Sequence, residues 1–271
     1  FAGALRTYTL EALMGDGKAL QAGTSHNLGQ HFAKVFNITF QDIDGERKFV
    51  WQTSWGVSTR LIGAIIMVHG DDSGLVLPPK IAPIQLVIIP IFGKKNEEEV
   101  VLTEVEKLKR MFPDIRMKID DRKEYTPGWK FNEWELKGVP LRLEIGPKDV
   151  KKNQVVLVRR DKRTKEFVSV DIAPERVKEL LNQIQKDLYE KALKFREERT
   201  SNVTQFNEFE ETIATKKGFV KACWCGNPDC ETTVKEKTMA TIRFIPINNE
   251  GHNQCIVCGK EGELVYFARS Y

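Results

Sequence analysis

"SWGVSTRLIGAIIMVHGDDSGLVLPPKIAPIQ", residues 54–85, decides how the rest of the chain is read. From Leu61 to Val68 it is almost wholly apolar, and one cation, Arg60, stands at its leading edge. The run over 57–69 has helical length and stops at Gly70, and "DDSG" and "LPPK" read as turns. A helix N-terminus is already partly positive, because its first N–H groups point outward unpaired. A cation there is mildly unfavourable unless an anion sits in front of it, in which case Arg60 and the free N–H groups hold the anion together. Ser58 and Thr59 can cap or hydrogen-bond at the same end. The plainer readings are that Arg60 pairs with an internal carboxylate or lays its stem on the surface.

Upstream, "RTYTLEALM" alternates like a strand, and "KFVWQTSWG" reads as strand then turn. "LQAGTSHNLGQ", residues 20–30, carries two glycines, a Thr-Ser pair and His26. It reads as a turn before a helix, where a ligand could approach the backbone, or as a capped turn with a satisfied histidine. "HNLGQHFAKVFNITF" is expected to begin as an amphipathic helix and end as a strand. Downstream, "APIQLVIIPIF" is a continuous apolar run typical of a strand buried on both faces. "NEEEVVLTEVEKLKRMF" has helical spacing, while "IRMKID", "VPLRLEIG" and "NQVVLVRR" are strands. "APERVKELLNQIQKDLYEKALKFREERT" is a long amphipathic helix with Pro174 in its first turn. Strand and helix thus alternate from 82 to about 190, the pattern of a small α/β domain.

The chain has 271 residues, enough for two or three domains, with 41% hydrophobic and 30% charged residues. The net charge of +4 is too small to establish a nucleic-acid partner by itself. No run of 18 apolar residues exists, so no membrane span is expected. The first residues lack a signal-peptide pattern and a starting methionine, and the expectation is a fragment of a longer protein. All five cysteines follow residue 220. Cys225 and Cys230 form a C-x4-C pair and Cys255 and Cys258 a C-x2-C pair, with Cys223 spare. Without a secretory signal, two close pairs suit a closed, structural tetrahedral zinc rather than disulfides; reduced free thiols are the alternative.

"YTPGWKFNEWELKGVPLRLEIGPKDVKKNQVVLVRRDKRTK" interleaves aromatics with cations. That composition suits an unstacked RNA loop, whose bases are read by stacking and by their exposed edges. Alternatively, Trp129, Phe131 and Trp134 are ordinary core, as at least one of them is expected to be, and the cations from 148 to 165 form a solvated hairpin.

Taken together, "GTSHNLGQ" and "TSWGVSTRLIGAIIMVHGDDSGLVLPPKIAPIQ" closely resemble the end of the catalytic domain of a class II aminoacyl-tRNA synthetase. The match is nearest to the prolyl-tRNA synthetase family of archaeal and eukaryotic type. It continues through "TPGWKFNEWELKGVPLRLEIGPKD", similar to the family's anticodon-binding signature, to the cysteine segment and the terminal "RSY". The resemblance implies an α/β and α+β multidomain protein. Residues 1–81 would be the end of an antiparallel-sheet catalytic domain, 82–188 an α/β anticodon-binding domain with a mixed sheet, and 189–271 a small α+β zinc-binding-like domain. It implies Arg60 as the catalytic cation on ATP phosphate, with Gln21, Thr24 and Ser58 completing the ATP site. Phe1, His26, Trp55 and Gly56 would border the proline pocket. Glu135, Arg142, Lys148 and Asp149 would read the guanines of the anticodon. Cys225, Cys230, Cys255 and Cys258 would hold structural Zn2+, and Mg2+ would accompany ATP. The implied activity is that of a cytoplasmic, homodimeric ligase joining L-proline to tRNA(Pro), open to febrifugine-like inhibitors in the pocket for proline and the tRNA terminal adenosine. The resemblance implies that the family's first two motifs, with its α-phosphate arginine and proline-binding acids, would lie upstream of Phe1. Another class II synthetase and a non-catalytic RNA-binding paralogue are the competing readings.

Overall fold

β-Branched and aromatic residues alternating with polar ones give the first strands their pairing. In the computed structural model, which describes residues 1–93, 97–248 and 251–271, β1 (Arg6–Leu13) pairs antiparallel with β2 (Ala19–Gly29). A short helix α1 (His31–Val35) and a small ribbon, β3 (Thr39–Gln41) with β4 (Arg47–Phe49), follow. β5 (Gln52–Val57) then adds to the other side of β2, making a three-stranded antiparallel sheet in the order β1-β2-β5. Helix α2 (Arg60–His69) leaves directly from its end.

Two expectations are corrected here. Residues 23–29 are the second half of the central strand β2, not a turn or a helix start, and helix is confined to α1. Likewise β5 runs to Val57, so α2 begins at Arg60 rather than at 57. The polar residues that suggested a turn are strand residues on one face of a sheet.

The chain forms two compact units, residues 69–194 and residues 1–68 together with 195–271; most of the first and third expected domains share one unit, while residues 69–81 and 189–194 belong to the other.

Unit 69–194 is built on β6 (Leu86–Pro90), every residue of which is buried. Then come α3 (Glu98–Met111), β7 (Met117–Ile119), α4 (Pro127–Leu136), β8 (Leu141–Ile145), α5 (Pro147–Lys151), β9 (Gln154–Arg159), β10 (Lys165–Ser169) and α6 (Ala173–Glu198). The sheet order is β10-β9-β8-β6-β7, with β7, β6 and β8 parallel and β9 and β10 antiparallel. α3 buries Val101, Val105 and Leu108, and α6 buries Val177, Leu180, Leu181, Ile184 and Leu188, the three-and-four spacing of a helix with one apolar face.

Helix α4 is not among the elements expected above. Its start is capped by Thr126, whose hydroxyl accepts from the Trp129 backbone N–H, and Pro127 opens the first turn. Trp134 is core, and its Nε1 donates to Asp120 Oδ2 at 2.7 Å. Beyond the helix, Gly138 has φ +72°, and a Cβ there would lie 2.6 Å from the Leu75 backbone. Only glycine therefore lets the 70–77 loop close over the end of α4, where Leu75 N–H donates to the Leu136 carbonyl.

The same loop is held by Arg160, whose guanidinium donates to both carboxylate oxygens of Asp71 at 2.6 and 2.8 Å. The cations of 148–165 are thus not all solvated, as one reading of the sequence had it. Arg160 is buried, as is Arg159, which pairs with Asp161 and Asp187. Arg160 holds the Asp71 carboxyl at about 2, below its ordinary 3.8. A lowered folded value gives stability that is present above about 3.8 and is lost as the pH falls toward 2. The Asp71 side chain is 40% exposed, so water screens the pair. Asp71→Asn should cost about 1 kcal/mol at pH 7 and almost nothing near pH 2. Urea unfolding at both pH values measures this; an equal cost at each would show that the pair contributes no charge-dependent stability.

The rest of the other unit comprises β11 (Thr200–Asn202), α7 (Phe206–Thr215), β12 (Phe219–Trp224), α8 (Pro228–Thr238), β13 (Ala240–Phe244), β14 (His252–Gln254) and β15 (Glu261–Arg269). Its sheet runs β11-β12-β15-β13, with β14 on β15. Phe209, Ile213, Val220, Val234, Val265 and Phe267 pack between this sheet and helices α7 and α8.

Candidate functional site

Residues directly opposite in an antiparallel ladder share a face, and alternate residues share it along each strand. Thr24 lies opposite Thr9 on β1 and Gly56 on β5, and His26 lies opposite Thr7 and Ser54. The register shifts between Leu10 and Glu11, so Gln21 comes opposite Glu11. Gln21, Thr24, His26 and Gly56 therefore come together on one face of the sheet. A Cβ at Gly56 would lie 3.3 Å from Thr24 Oγ1, so glycine keeps that hydroxyl uncovered. His26 is buried, with Nδ1 3.0 Å from Thr7 Oγ1 and its ring 4.5 Å from the Phe1 ring. Trp55, opposite Ser25, is set on the other face, with 80% of its surface exposed.

Val57, opposite Gly23, ends β5, and Ser58 and Thr59 link it to α2. Ser58 Oγ accepts from the Arg60 backbone N–H at 3.3 Å. Arg60 is exposed, and among the described residues no carboxylate lies within ion-pair distance of it. The internal-carboxylate reading of Arg60 is thereby removed. What remains is an unpaired cation at the positive end of a helix, beside a polar sheet face. That arrangement can receive an anion and, next to it, a small polar molecule.

In unit 69–194, Glu135 and Arg142 line one cavity of about 180 Å3 together with Arg159, Arg160, Arg163 and Lys165. Arg142 Nε donates to Glu144 Oε1 at 2.9 Å, its Nη2 lies at ion-pair distance of the same oxygen, 2.9 Å, and its guanidinium lies 4.3 Å from the centre of the Phe131 ring. Arg163 Nε forms an ion pair with Glu135 Oε1 at 3.0 Å, while Arg160 Nε donates to the Glu135 backbone carbonyl at 2.8 Å. The cavity offers a carboxylate acceptor amid fixed donors, the pairing that reads base edges under a phosphate backbone. Lys148 and Asp149 lie on α5, outside that lining. Asp149 already accepts from the Gly146 N–H and from Gln154 Nε2, both at 3.0 Å. The sequence reading missed the four additional cations. "VRRDKRTK" announces their charge but not that Arg159 and Arg160 are buried while Arg163 and Lys165 stay exposed at the rim.

The sulfurs of Cys225, Cys230, Cys255 and Cys258 all lie within 4.8 Å of one another. Cys225 is 3.7 Å from Cys230 and 3.5 Å from Cys258. Zinc–thiolate bonds near 2.3 Å in a tetrahedron separate the sulfurs by roughly 3.8 Å, so the four thiols fit that ion. Burial drives the Cys230 thiol up to about 12, and the Cys225 and Cys258 sulfurs beside it add to this. Burial pushes Cys255 the same way, but hydrogen bonds from the backbone at Cys258, Val257 and Cys225 outweigh it and hold the thiol at about 7. Those backbone groups favour the thiolate that a metal requires. Cys223, buried on β12, is not one of the four.

Comparison with known families matches residues 85–180 to "Anticodon binding domain" and residues 206–271 to "Prolyl-tRNA synthetase, C-terminal". The whole chain aligns with "Proline--tRNA ligase" of Natranaerobius thermophilus at 58% identity and of Alkaliphilus oremlandii at 55%, covering 57% and 56% of those proteins. "Proline--tRNA ligase 2" of Bacillus cereus is 51% identical over the whole chain, which covers 57% of it. The chain thus spans a little over half the length of these relatives and corresponds to their C-terminal part. No helix among the described residues is long and apolar enough to cross a membrane.

Proposed function

We propose, from a chain that carries an anticodon-binding domain and the C-terminal domain of prolyl-tRNA synthetases, that the whole protein is a proline–tRNA ligase. Alignment of the entire chain with proline–tRNA ligases at up to 58% identity carries this reading. In it, residues 1–81 complete a class II catalytic domain, residues 82–188 bind the anticodon, and residues 189–271 form the metal-binding module. Gln21, Thr24, Ser58 and Arg60 serve ATP, and His26, with Phe1 against it and Gly56 beside it, borders the proline pocket. Trp55, on the other face, would contribute through its backbone. The proline carboxylate attacks the α-phosphate, pyrophosphate leaves, and the prolyl group passes from the adenylate to the tRNA 3′ end. Arg60 neutralises phosphate charge that grows as pyrophosphate departs, at no reorganisation cost because no internal partner must be released. Magnesium, when bound with ATP, screens the phosphates. Cytoplasmic action, a homodimer and sensitivity to febrifugine-like inhibitors accompany the same family reading.

Proline-dependent ATP–pyrophosphate exchange, followed by charging of a tRNA(Pro) transcript, tests this on the full-length protein. Exchange that requires proline, together with charging, is the expected result. tRNA binding without exchange for any amino acid would make it a non-catalytic paralogue, and exchange with a different amino acid another class II synthetase.

Arg142→Ala should reduce kcat/KM for tRNA(Pro) about 10- to 100-fold, mostly through KM, the scale of one lost base contact. Steady-state charging measures it. An unchanged KM for tRNA would remove Arg142 from anticodon recognition.

A further inference from the structure

Arg243 is the extra residue of a β-bulge. Ile242 pairs with Phe267 and Phe244 with Tyr266, and Arg243 between them has no partner on β15. A bulge re-aims a side chain, and this one is aimed at Glu11 of β1, 232 residues away in sequence. Arg243 Nε and Nη2 donate to Glu11 Oε2 at 3.0 and 2.9 Å. The two side chains are 12% and 2% exposed, so the pair is nearly dry. Glu11 Oε1 accepts from Thr9 Oγ1 at 3.0 Å, and Thr9 Oγ1 accepts from Gln21 Nε2 at 3.2 Å. The register shift between Leu10 and Glu11 is what brings Gln21 within reach.

This chain of bonds has one possible direction. A guanidinium only donates, and a carboxylate only accepts. Thr9 has one hydroxyl hydrogen and spends it on Glu11, so toward Gln21 it can only accept. Gln21 must then turn its NH2 to Thr9, which fixes the amide orientation and points its carbonyl oxygen, Oε1, away from Thr9 as a free acceptor for a ligand.

We propose that Arg243, in the C-terminal domain, is a positioning residue for the nucleotide: through Glu11 and Thr9 it fixes Gln21 as a hydrogen-bond acceptor for a donor group of the nucleoside. The donor is a ribose hydroxyl or the exocyclic amine. The inference rests on the reading that Gln21 belongs to the ATP site. It gives the C-terminal domain a part in activation that neither metal binding nor RNA binding supplies.

Full-length wild type, Gln21→Ala, Glu11→Gln, Thr9→Val and Thr9→Ser are compared in proline-dependent exchange, with KM for ATP and for proline measured separately. Glu11→Gln can donate to Thr9 and so free Gln21 to flip, and Thr9→Val cuts the relay without touching the ion pair. Each should raise KM for ATP about tenfold, the scale of one misdirected hydrogen bond, and leave KM for proline unchanged. Thr9→Ser should restore the wild-type value. In the Gln21→Ala background, Glu11→Gln and Thr9→Val should add nothing further. ATP analogues lacking one ribose hydroxyl or the exocyclic amine should include one for which Gln21→Ala no longer matters. If Gln21→Ala raises KM for ATP but the other variants do not, or add fully to it, the relay is wrong and the ATP site stands. Should Gln21→Ala leave KM for ATP unchanged, Gln21 is not in the ATP site, and the relay falls with that reading. If Glu11→Gln does not fold, the two Thr9 variants decide the question alone.

Discussion

Arg60→Ala should lower kcat/KM for proline-dependent ATP–pyrophosphate exchange by about a thousandfold, which corresponds to roughly 4 kcal/mol of transition-state stabilisation. The same substitution should leave stability within about 0.5 kcal/mol of wild type. The two expectations separate because Arg60 is exposed, makes no ion pair with a described carboxylate, and contributes only its backbone N–H to the cap on Ser58. Removing a cation from a helix N-terminus even relieves a small repulsion with the helix dipole. A residue that costs the fold slightly and makes no ion pair with a described carboxylate keeps its charge free for a ligand. Arg60→Lys should recover part of the activity, since it keeps the charge but loses the planar two-pronged donor. The checks are exchange kinetics and thermal unfolding of the full-length enzyme. Activity lost in proportion to stability would mean that Arg60 serves the fold, and activity retained would take it out of phosphate binding.

What the sequence disclosed follows from where each element is buried. β6 is buried on both faces, so it reads as an unbroken apolar run. α3 and α6 bury one stripe each, and their three-and-four spacing is visible without tertiary information. β2 failed that test because the face it offers is lined by Gln21, Thr24 and His26 rather than by apolar residues. Its periodicity is polar against polar, and composition alone suggested a turn. α4 was hidden for the opposite reason. Phe131 and Trp134 share one cluster while Trp129 stacks on Tyr125 outside it, and Lys130, 2% exposed, is buried with its Nζ on the Asp120 carbonyl, so no regular apolar stripe marks the helix. The charged residues were hardest to place. Arg159 and Arg160 look like a solvated hairpin until partners 28 and 89 residues away, Asp187 and Asp71, come into contact. The clustering of Cys225, Cys230, Cys255 and Cys258 was legible because their pairs are local in sequence. The choice between Cys223 and Cys225 was not, since it depends on which of two neighbouring strand-end residues turns toward Cys230 and Cys258.

The thiol cluster leads to the second large effect. Cys255→Ser should reduce bound zinc from about one per chain to nearly none and lower the melting temperature by about 10 °C, taking a loss of some 4 kcal/mol in a domain of this size. Zinc-finger peptides lose far more, about 10–16 kcal/mol, because they have no fold without metal. Here the surrounding sheet keeps a core of its own, including Phe209, Val220, Val265 and Phe267, so metal loss should loosen the 225–258 corner rather than unfold the unit. Cys255 is the informative position. Backbone hydrogen bonds converge on its sulfur and hold the thiol at about 7 against the effect of burial, and serine cannot supply a thiolate there. Cys223→Ser is the matched control. It removes a buried thiol from β12 that is not one of the four clustered sulfurs, so zinc content should stay at the wild-type level. Elemental analysis of the purified variants, with unfolding curves before and after chelation, reads both quantities. A wild-type protein that purifies without zinc and ignores the chelator would mean that the four thiols are packed as reduced side chains. Loss of zinc from Cys223→Ser but not from Cys255→Ser would reassign the ligand set.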